Sequence, residues 1–406
     1  MNEISILKNP VQEYAWGSRT AIQSLLGQPE SAGKPMAELW MGAHPKAPSK
    51  VLADGEWKAL DEVIERNPEL ILGKNVARKF SNKLPFLFKV LAADRPLSVQ
   101  AHPSLEQARA GFARENRFGI PLHAPRRNYR DEHHKPEILC ALTHFQGLKG
   151  FRKIEDILDL MDKVSSSTLS ALLSRLRREP DSHGLERFFT ALMSMEETRQ
   201  RQMVSEAARL AERYANRDET FHWMVKLNRE YPGDIGVFSP VILNLIRLPP
   251  GEAIYLPAGE LHAYLHGLGI ELMAASDNVL RGGLTPKHID IPELLKIINF
   301  KSEPVRTIKS VRRGTCQRIY ATPAEEFQLS VISVDKGESF TSPQDRSVEI
   351  LICLRGEAGI RELAGGQLLR VTQGKSVIVP STISRYYIEG NATLYKASVP
   401  VLTGHL

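Results

Sequence analysis

The chain is predicted to be mainly β, with two small barrels, the second degenerate, and an α-helical domain inserted into the first. Three features carry this expectation. Up to about Gly150 the sequence is rich in Pro and Gly with short apolar runs such as PFLFKVLAA, the texture of strands joined by long connections. The apolar spacing then switches abruptly to the 3.6-residue helical period and reverts near Asp234. Finally, PGEAIYLPAGELHAYLHG, ending at Gly267, is a strand–turn–strand pattern that returns as QGKSVIVPSTISRYYIEG, ending at Gly390. The expected division is a discontinuous first barrel (1–152 and 230–320), a helical insertion (153–229) and a second barrel (321–406).

Within the insertion, Ile154, Ile157, Leu158 and Met161 share one helical face, as do Leu169, Leu172, Leu173 and Leu176. Ser167 or Thr168 is the expected cap of the second helix, and Pro180-Asp181 its end. ERFFTALMSM, VSEAARLAERYA and FHWMVKLNRE continue the pattern, and their aromatic and Met residues are assigned to core. A later helical run, IPELLKIINF, leads through a basic connector into the last section. In the repeat, Gly374 aligns with Gly251 and Pro380 with Pro257, while Arg385 stands where His262 stood. Arginine does not ligate cations, so the second copy is expected to hold no metal.

At 406 residues the chain has ample length for two or three domains, and 42% hydrophobic with 25% charged residues is ordinary globular composition. The first residues lack a signal-peptide pattern and no apolar run reaches the ~18 residues of a membrane span. Three scattered cysteines, Cys140, Cys316 and Cys353, fit reduced thiols, so a cytoplasmic protein is expected. The net charge of +6 is spread among acidic residues without interleaved aromatics or a nucleic-acid motif. A small anionic substrate suits it better than nucleic acid or a membrane.

A candidate metal site draws on distant segments. LSVQAHPS carries Gln100 and His102 two apart, hence on one face of a strand, with Val99 and Ala101 on the other. DEHHKPEIL adds Glu137, and the turn shaped by Pro257 and Gly259 presents His262. Two imidazoles, a carboxylate and an amide oxygen suit zinc, and one formal negative charge leaves such an ion a strong Lewis acid. His133 and His134 are rival ligands by spacing. Taken singly, a His-Pro step in a loop is an ordinary structural feature.

Gly251 to His262 matches the second half of the cupin signature, with His266 at its usual Asn position; Gln100-x-His102 replaces the usual His-x-His of the first half. That replacement, with EYAWGS, AELWMGAHPKAPS, LPFLFKVLAADRPLSVQAHP, YRDEHHKPEIL, YPGDIGV and IELMAASDNVLRGGLTPKHID, resembles the type I mannose-6-phosphate isomerase (phosphomannose isomerase) family. The resemblance implies a cupin-type catalytic barrel, a helical domain and a second barrel. It also implies interconversion of mannose 6-phosphate and fructose 6-phosphate through a metal-stabilised enediolate, with one zinc per chain held by Gln100, His102, Glu137 and His262. It places an active-site arginine at Arg281 and a lysine at Lys287. A monomer or weak homo-oligomer is expected.

Such a reaction needs a base beside the carbonyl, an electrophile for the enediolate and a grip on the phosphate. Arg281 lies in a Gly-rich turn where Gly282 and Gly283 are expected to let a ligand approach the backbone. Lys287 and Lys135 are further candidates for the phosphate or for proton transfer. Lys89 is a further substrate-binding candidate, standing out as a lysine in an apolar strand, although at a strand end it would simply reach solvent. Glu271, His134, Lys135 and Asp277 remain open as the proton-transfer group. Rival readings are a metal-dependent cupin oxygenase, a non-catalytic sugar-sensing cupin, and an isomerase for another phosphorylated sugar.

Overall fold

A computed structural model describes residues 3–28, 33–53 and 55–401. Its β structure forms an 11-stranded and a 10-stranded sheet, and all pairings between named strands are antiparallel. Helices fill most of the chain between the strands Phe145–Phe151 and Leu243–Leu248. The class is therefore mainly β with a helical insertion.

The spine of the 10-stranded sheet is the long strand His262–Ala274. Its first residues pair with Val99–Ala101 and Phe145–Phe151, and the remainder pairs with Phe86–Ala93 and Glu137–Ala141. The handover falls at Gly267, φ +129°, where a Cβ would lie 2.7 Å from the Phe145 ring and 2.9 Å from the His144 carbonyl. Only glycine fits so close an approach.

Strand alternation then separates two jobs. Phe86, Phe88, Ile138, Cys140, Ile270 and Leu272 form one core with Leu329, Ile350 and Ile352 of the other sheet. The alternate positions, Lys89, Glu137 and Glu271, point to the opposite face and are buried there. The insertion packs behind the site in the same way. Val99, Ala101, Leu261 and Ala263 share a core with Leu173, Phe188, Trp223 and Phe238, leaving Gln100 on the far face. Phe189, Met193, Met203, Phe221 and Met224 are also buried there, as expected of core.

Several expectations need correction. The second insertion helix, Ser167–Arg178, is capped by Ser166, whose hydroxyl accepts from the Leu169 N–H at 3.4 Å. Asp181 caps the next helix, Ser182–Met193, by accepting from the Gly184 N–H at 2.8 Å. The first 150 residues contain unforeseen helices, among them Leu105–Arg117, announced by a capping box between Ser104 and Gln107. Residues 1–152 do not all join the first sheet: Ser5–Lys8 pairs with Ser376–Val379, and the hairpin Lys50–Ala53/Glu56–Ala59 extends that second sheet. Gly283 serves the chain itself, since a Cβ there would meet the Gly236 Cα at 2.7 Å. The last β section begins before residue 321, with Val311–Arg313 and Gln317–Tyr320.

The repeat has a structural counterpart. Gly251 (φ +87°) and Gly374 (φ +80°) each precede a four-residue strand, Ala253–Leu256 and Ser376–Val379, and each unit continues into a 13-residue strand. Glu137 lies opposite Leu256, just before Pro257; Glu349 lies opposite Val379, just before Pro380. The carboxylate is thus kept in register. In the second sheet its partners are protein cations: Lys396 Nζ at 2.6 Å and Arg346 Nη1 at 3.5 Å, all buried. Arg385 is exposed, its Nε donating to the Ser342 carbonyl at 3.2 Å.

Removing one member of a buried ion pair strands the other charge. Lys396→Met is expected to lower stability by about 3 kcal/mol in urea denaturation. Adding Glu349→Gln should return most of that loss, because the stranded charge goes with it.

Candidate metal centre and active site

Three side chains from separate segments meet at the mouth of the 10-stranded sheet. Glu137 opens the strand Glu137–Ala141, His262 opens His262–Ala274, and His102 follows Val99–Ala101. The Gly259 N–H donates to the His102 carbonyl at 2.8 Å, tying the two histidine loops together. Gly259 itself has φ +79°, and a Cβ there would sit 2.6 Å from the Ile297 carbonyl.

The ligand atoms of His102, Glu137 and His262 all lie within 4.8 Å of one another, and all three residues are buried. His102 Nε2 is 3.4 Å from one Glu137 oxygen, and His262 Nε2 is 3.6 Å from the other. Each ring faces a backbone carbonyl through Nδ1: Asn278 O at 2.7 Å for His102 and Glu260 O at 2.9 Å for His262. A carbonyl only accepts, so each Nδ1 carries the proton and each Nε2 turns a lone pair to the centre. Both Nε2 atoms and Glu137 Oε2 are buried without a hydrogen-bond partner. Buried acceptors converging on one point are costly unless a cation satisfies them. The donor set therefore fits a divalent metal.

Electrostatics agree. Burial, with the Lys135 charge second, pushes the His102 imidazole down to about 4, leaving it neutral and ligating near pH 7. Burial alone would raise Glu137, but Lys135 (Nζ 2.9 Å from Oε1) and His102 hold it well below the usual carboxylate range. Gln100 is opposite both His262 and Arg281 in register, so its side chain shares their face. The rival histidines lie elsewhere. His133 is exposed, and His134 Nε2 is engaged by Glu326 at 2.6 Å.

Deeper on the inward face, Lys89 bridges two carboxylates, Glu271 at 2.8 Å and Glu38 at 3.4 Å. It sits mid-strand and buried, not snorkelling from an end. Burial would lower the Lys89 ammonium, yet Glu271 and Glu38 outweigh it and raise it above the ordinary lysine value. The Glu271 carboxyl is raised by burial, opposed by Lys89 and reinforced by Glu137 and Glu38. Asp277 is bound by Lys46 at 2.7 Å and faces His44 at 3.5 Å; burial would raise it, but these two partners hold it far below the usual range.

Arg281, Lys287 and Arg130 form a cationic rim. The Arg281 guanidinium is lowered by burial and by Arg130, and Lys287 by burial and then by Arg281, Arg130 and Lys46. Among the described residues none of these three side chains has an anionic partner. Clustered unpaired cations of this kind make a receptor for an anion. Glu38, His44, Lys46 and Arg130 were not foreseen. Arg130 lies in the basic stretch APRRNYRDEHHK, whose overall composition hid a local concentration of charge.

Fold and site together define a metal-binding β-sheet protein with an anion-receptive rim. Its sequence matches the models for the phosphomannose isomerase type I catalytic domain over residues 4–154, the type I helical insertion domain over 160–243 and the mannose-6-phosphate isomerase cupin domain over 317–399. It is 39% identical over 392 residues to mannose-6-phosphate isomerase of Escherichia coli (strain K12), covering 96% of this chain and 97% of that one. The Mus musculus enzyme of the same name is 39% identical over 320 residues, 72% of each chain. A crystal structure of a variant of Salmonella typhimurium phosphomannose isomerase superimposes with a TM-score of 0.91 at 37% identity, over 98% of this chain and all of that one. A zinc-bound mannose 6-phosphate isomerase does so with a TM-score of 0.90 at 37% identity and the same coverage. The chain belongs to the type I phosphomannose isomerase family.

Zinc titrated calorimetrically into chelator-stripped protein is expected to bind at one tight site per chain. In His262→Ala that binding should weaken by at least ~100-fold, since loss of even a residue supporting a ligand costs 10–100-fold. Unchanged affinity would remove His262 from the ligand set.

Proposed function

We propose that this chain is a zinc-dependent aldose–ketose isomerase interconverting D-mannose 6-phosphate and D-fructose 6-phosphate. The carrying observation is the conjunction of three orphaned buried acceptors with a rim of unpartnered cations. The first suits a Lewis-acidic ion and the second a phosphate. The zinc-bound relative and the enzymes named above support the same assignment.

His102, Glu137 and His262, with Gln100 from the adjacent strand, are the proposed ligands. Bound zinc would supply a Lewis acid for the sugar oxygens on which negative charge develops. Arg281, Lys287 and Arg130 would hold the phosphate, their mutual repulsion relieved by its charge. Lys89 is buried between Glu271 and Glu38, so its proposed role is to set the Glu271 carboxylate.

The base must take the proton from C2 of the aldose and deliver one at C1. Asp277, depressed by Lys46 and His44, is a weak base, and His134 is tied to Glu326. Glu271, raised by burial, and Lys135, against Glu137, are better suited, and the two sit close enough to influence each other. The proposed proton transfer rests on this pair. Burial of Glu271 and Lys135 favours return of the proton to carbon over loss to water.

Among the described residues no helix is long and apolar enough to cross a membrane. Cys140, Cys316 and Cys353 are free and buried, which supports a reducing compartment such as the cytoplasm.

In an enzyme-linked assay, purified protein should convert mannose 6-phosphate, lose activity on chelation and recover it with zinc. Absence of turnover in the zinc-loaded protein would refute the assignment. Arg281→Ala should keep zinc content and lower kcat/KM by roughly 10²–10³-fold, as expected for losing a charged donor in a closed site. Unaltered kinetics would reduce Arg281 to a loop residue.

A further inference from the structure

Asn278 is fully buried, between the metal cluster and the cationic rim. Its backbone carbonyl accepts the Nδ1 proton of His102 at 2.7 Å and so sets the ring whose Nε2 faces Glu137. Its carboxamide binds a different segment. Oδ1 accepts from the backbone N–H groups of Arg130 (2.6 Å) and Asp131 (3.3 Å). Nδ2 donates to the carbonyls of Asp131 (2.9 Å) and His133 (2.8 Å) and to Asp131 Oδ1 (3.2 Å). Donors meet the oxygen and acceptors meet the nitrogen, so the network admits only this orientation of the amide.

The gripped segment carries Arg130 of the rim and runs directly into Lys135 and Glu137. Ser276 reinforces it, donating to Asp131 Oδ1 at 2.8 Å, as does the Asp277 N–H to Asp131 Oδ2 at 2.8 Å. Arg281 follows three residues after Asn278, in the strand Leu280–Gly283. One residue, through its backbone and its side chain, therefore ties the His102 ring to the segment that carries Arg130 and leads to Lys135. A 1 Å misplacement in such a constellation is enough to cost about 100-fold in rate.

We propose that Asn278 is a positioning residue: its backbone sets His102 while its carboxamide clamps residues 130–133, holding the phosphate rim in register with the metal centre. The kinetic part of this inference rests on the isomerase reading; the geometric part concerns metal and anion binding alone. The two parts of the residue are separable. Asn278→Asp keeps the shape and the accepted bonds but sets a carboxylate against two carbonyls and Asp131. The backbone carbonyl on His102 is untouched.

The test compares wild type, Asn278→Asp and Asn278→Ala for zinc affinity by chelator competition, inorganic phosphate binding by calorimetry, and KM and kcat for mannose 6-phosphate. Ser342→Ala is the stability control. The Ser342 hydroxyl accepts the Tyr386 N–H at 2.9 Å in the other sheet, away from the site. Both Asn278 variants should keep one zinc per chain within ~10-fold of wild-type affinity while phosphate binding weakens ~10-fold and kcat/KM falls ~100-fold, mostly through KM. Ser342→Ala should lower the melting temperature and leave these constants unaltered. If Asn278→Ala does not fold, Asn278→Asp alone carries the comparison. Wild-type phosphate affinity and kcat/KM in folded Asn278→Asp would overturn the proposal. A wild-type enzyme inactive on mannose 6-phosphate would sink the isomerase reading instead, while phosphate and zinc binding would still decide the role of Asn278.

Discussion

Glu137 is the constraint around which the molecule is arranged. A carboxylate buried between two imidazoles with their lone pairs turned inward is untenable without positive charge. Lys135 provides part of it, at 2.9 Å. The inward face holds the three carboxylates Glu38, Glu137 and Glu271 against the ammonium groups of Lys89 and Lys135. That excess of negative charge suits one divalent ion, and with the ion bound the site turns electropositive. Such a site is disposed toward an anionic ligand.

Placing such a cluster in a sheet demands strict alternation. The same strands that aim Lys89, Glu137 and Glu271 inward aim Phe88, Ile138 and Leu272 outward against the second sheet. The helical insertion does likewise behind Gln100, burying Val99 and Ala101. Slipping any one of these strands by a residue would send charge into an apolar core and apolar side chains into the site. The rigidity that holds the ligands is thus contributed by parts of the chain that take no part in chemistry.

The two sheets also solve one electrostatic problem in two ways. Glu137 and Glu349 share a register position next to a proline-bounded turn. Around Glu349 two protein cations, Lys396 and Arg346, balance the carboxylate. Around Glu137 the orphaned acceptors include the Nε2 atoms of His102 and His262 as well as Oε2, a converging set that suits a metal ion. The loop before the second-sheet strand Gln328–Val334 supplies Glu326 to His134, next to Lys135, so it borders the segment that leads to Glu137.

The proposed metal ligands were legible in the sequence because their signals are local. A two-residue spacing puts Gln100 and His102 on one face, and a Gly/Pro turn presents His262. The helical insertion was legible from periodicity, and the repeat from matched Gly and Pro positions. Helix Leu105–Arg117 carries a local signal too, the Ser104–Gln107 capping box that opens it. Other features had no local signature. Ser5–Lys8 carries nothing to say which sheet it will join, because pairing is decided by a partner some 370 residues away. Glu38 beside Lys89, Glu326 beside His134 and the grip of Asn278 on residues 130–133 depend on distances between segments that only packing sets. Sequence by itself therefore determined which residue types face which way along each strand. Tertiary structure alone decided which of them meet, since burial shifts a charge, orphans an acceptor or builds an anion site only after the segments have closed on one another.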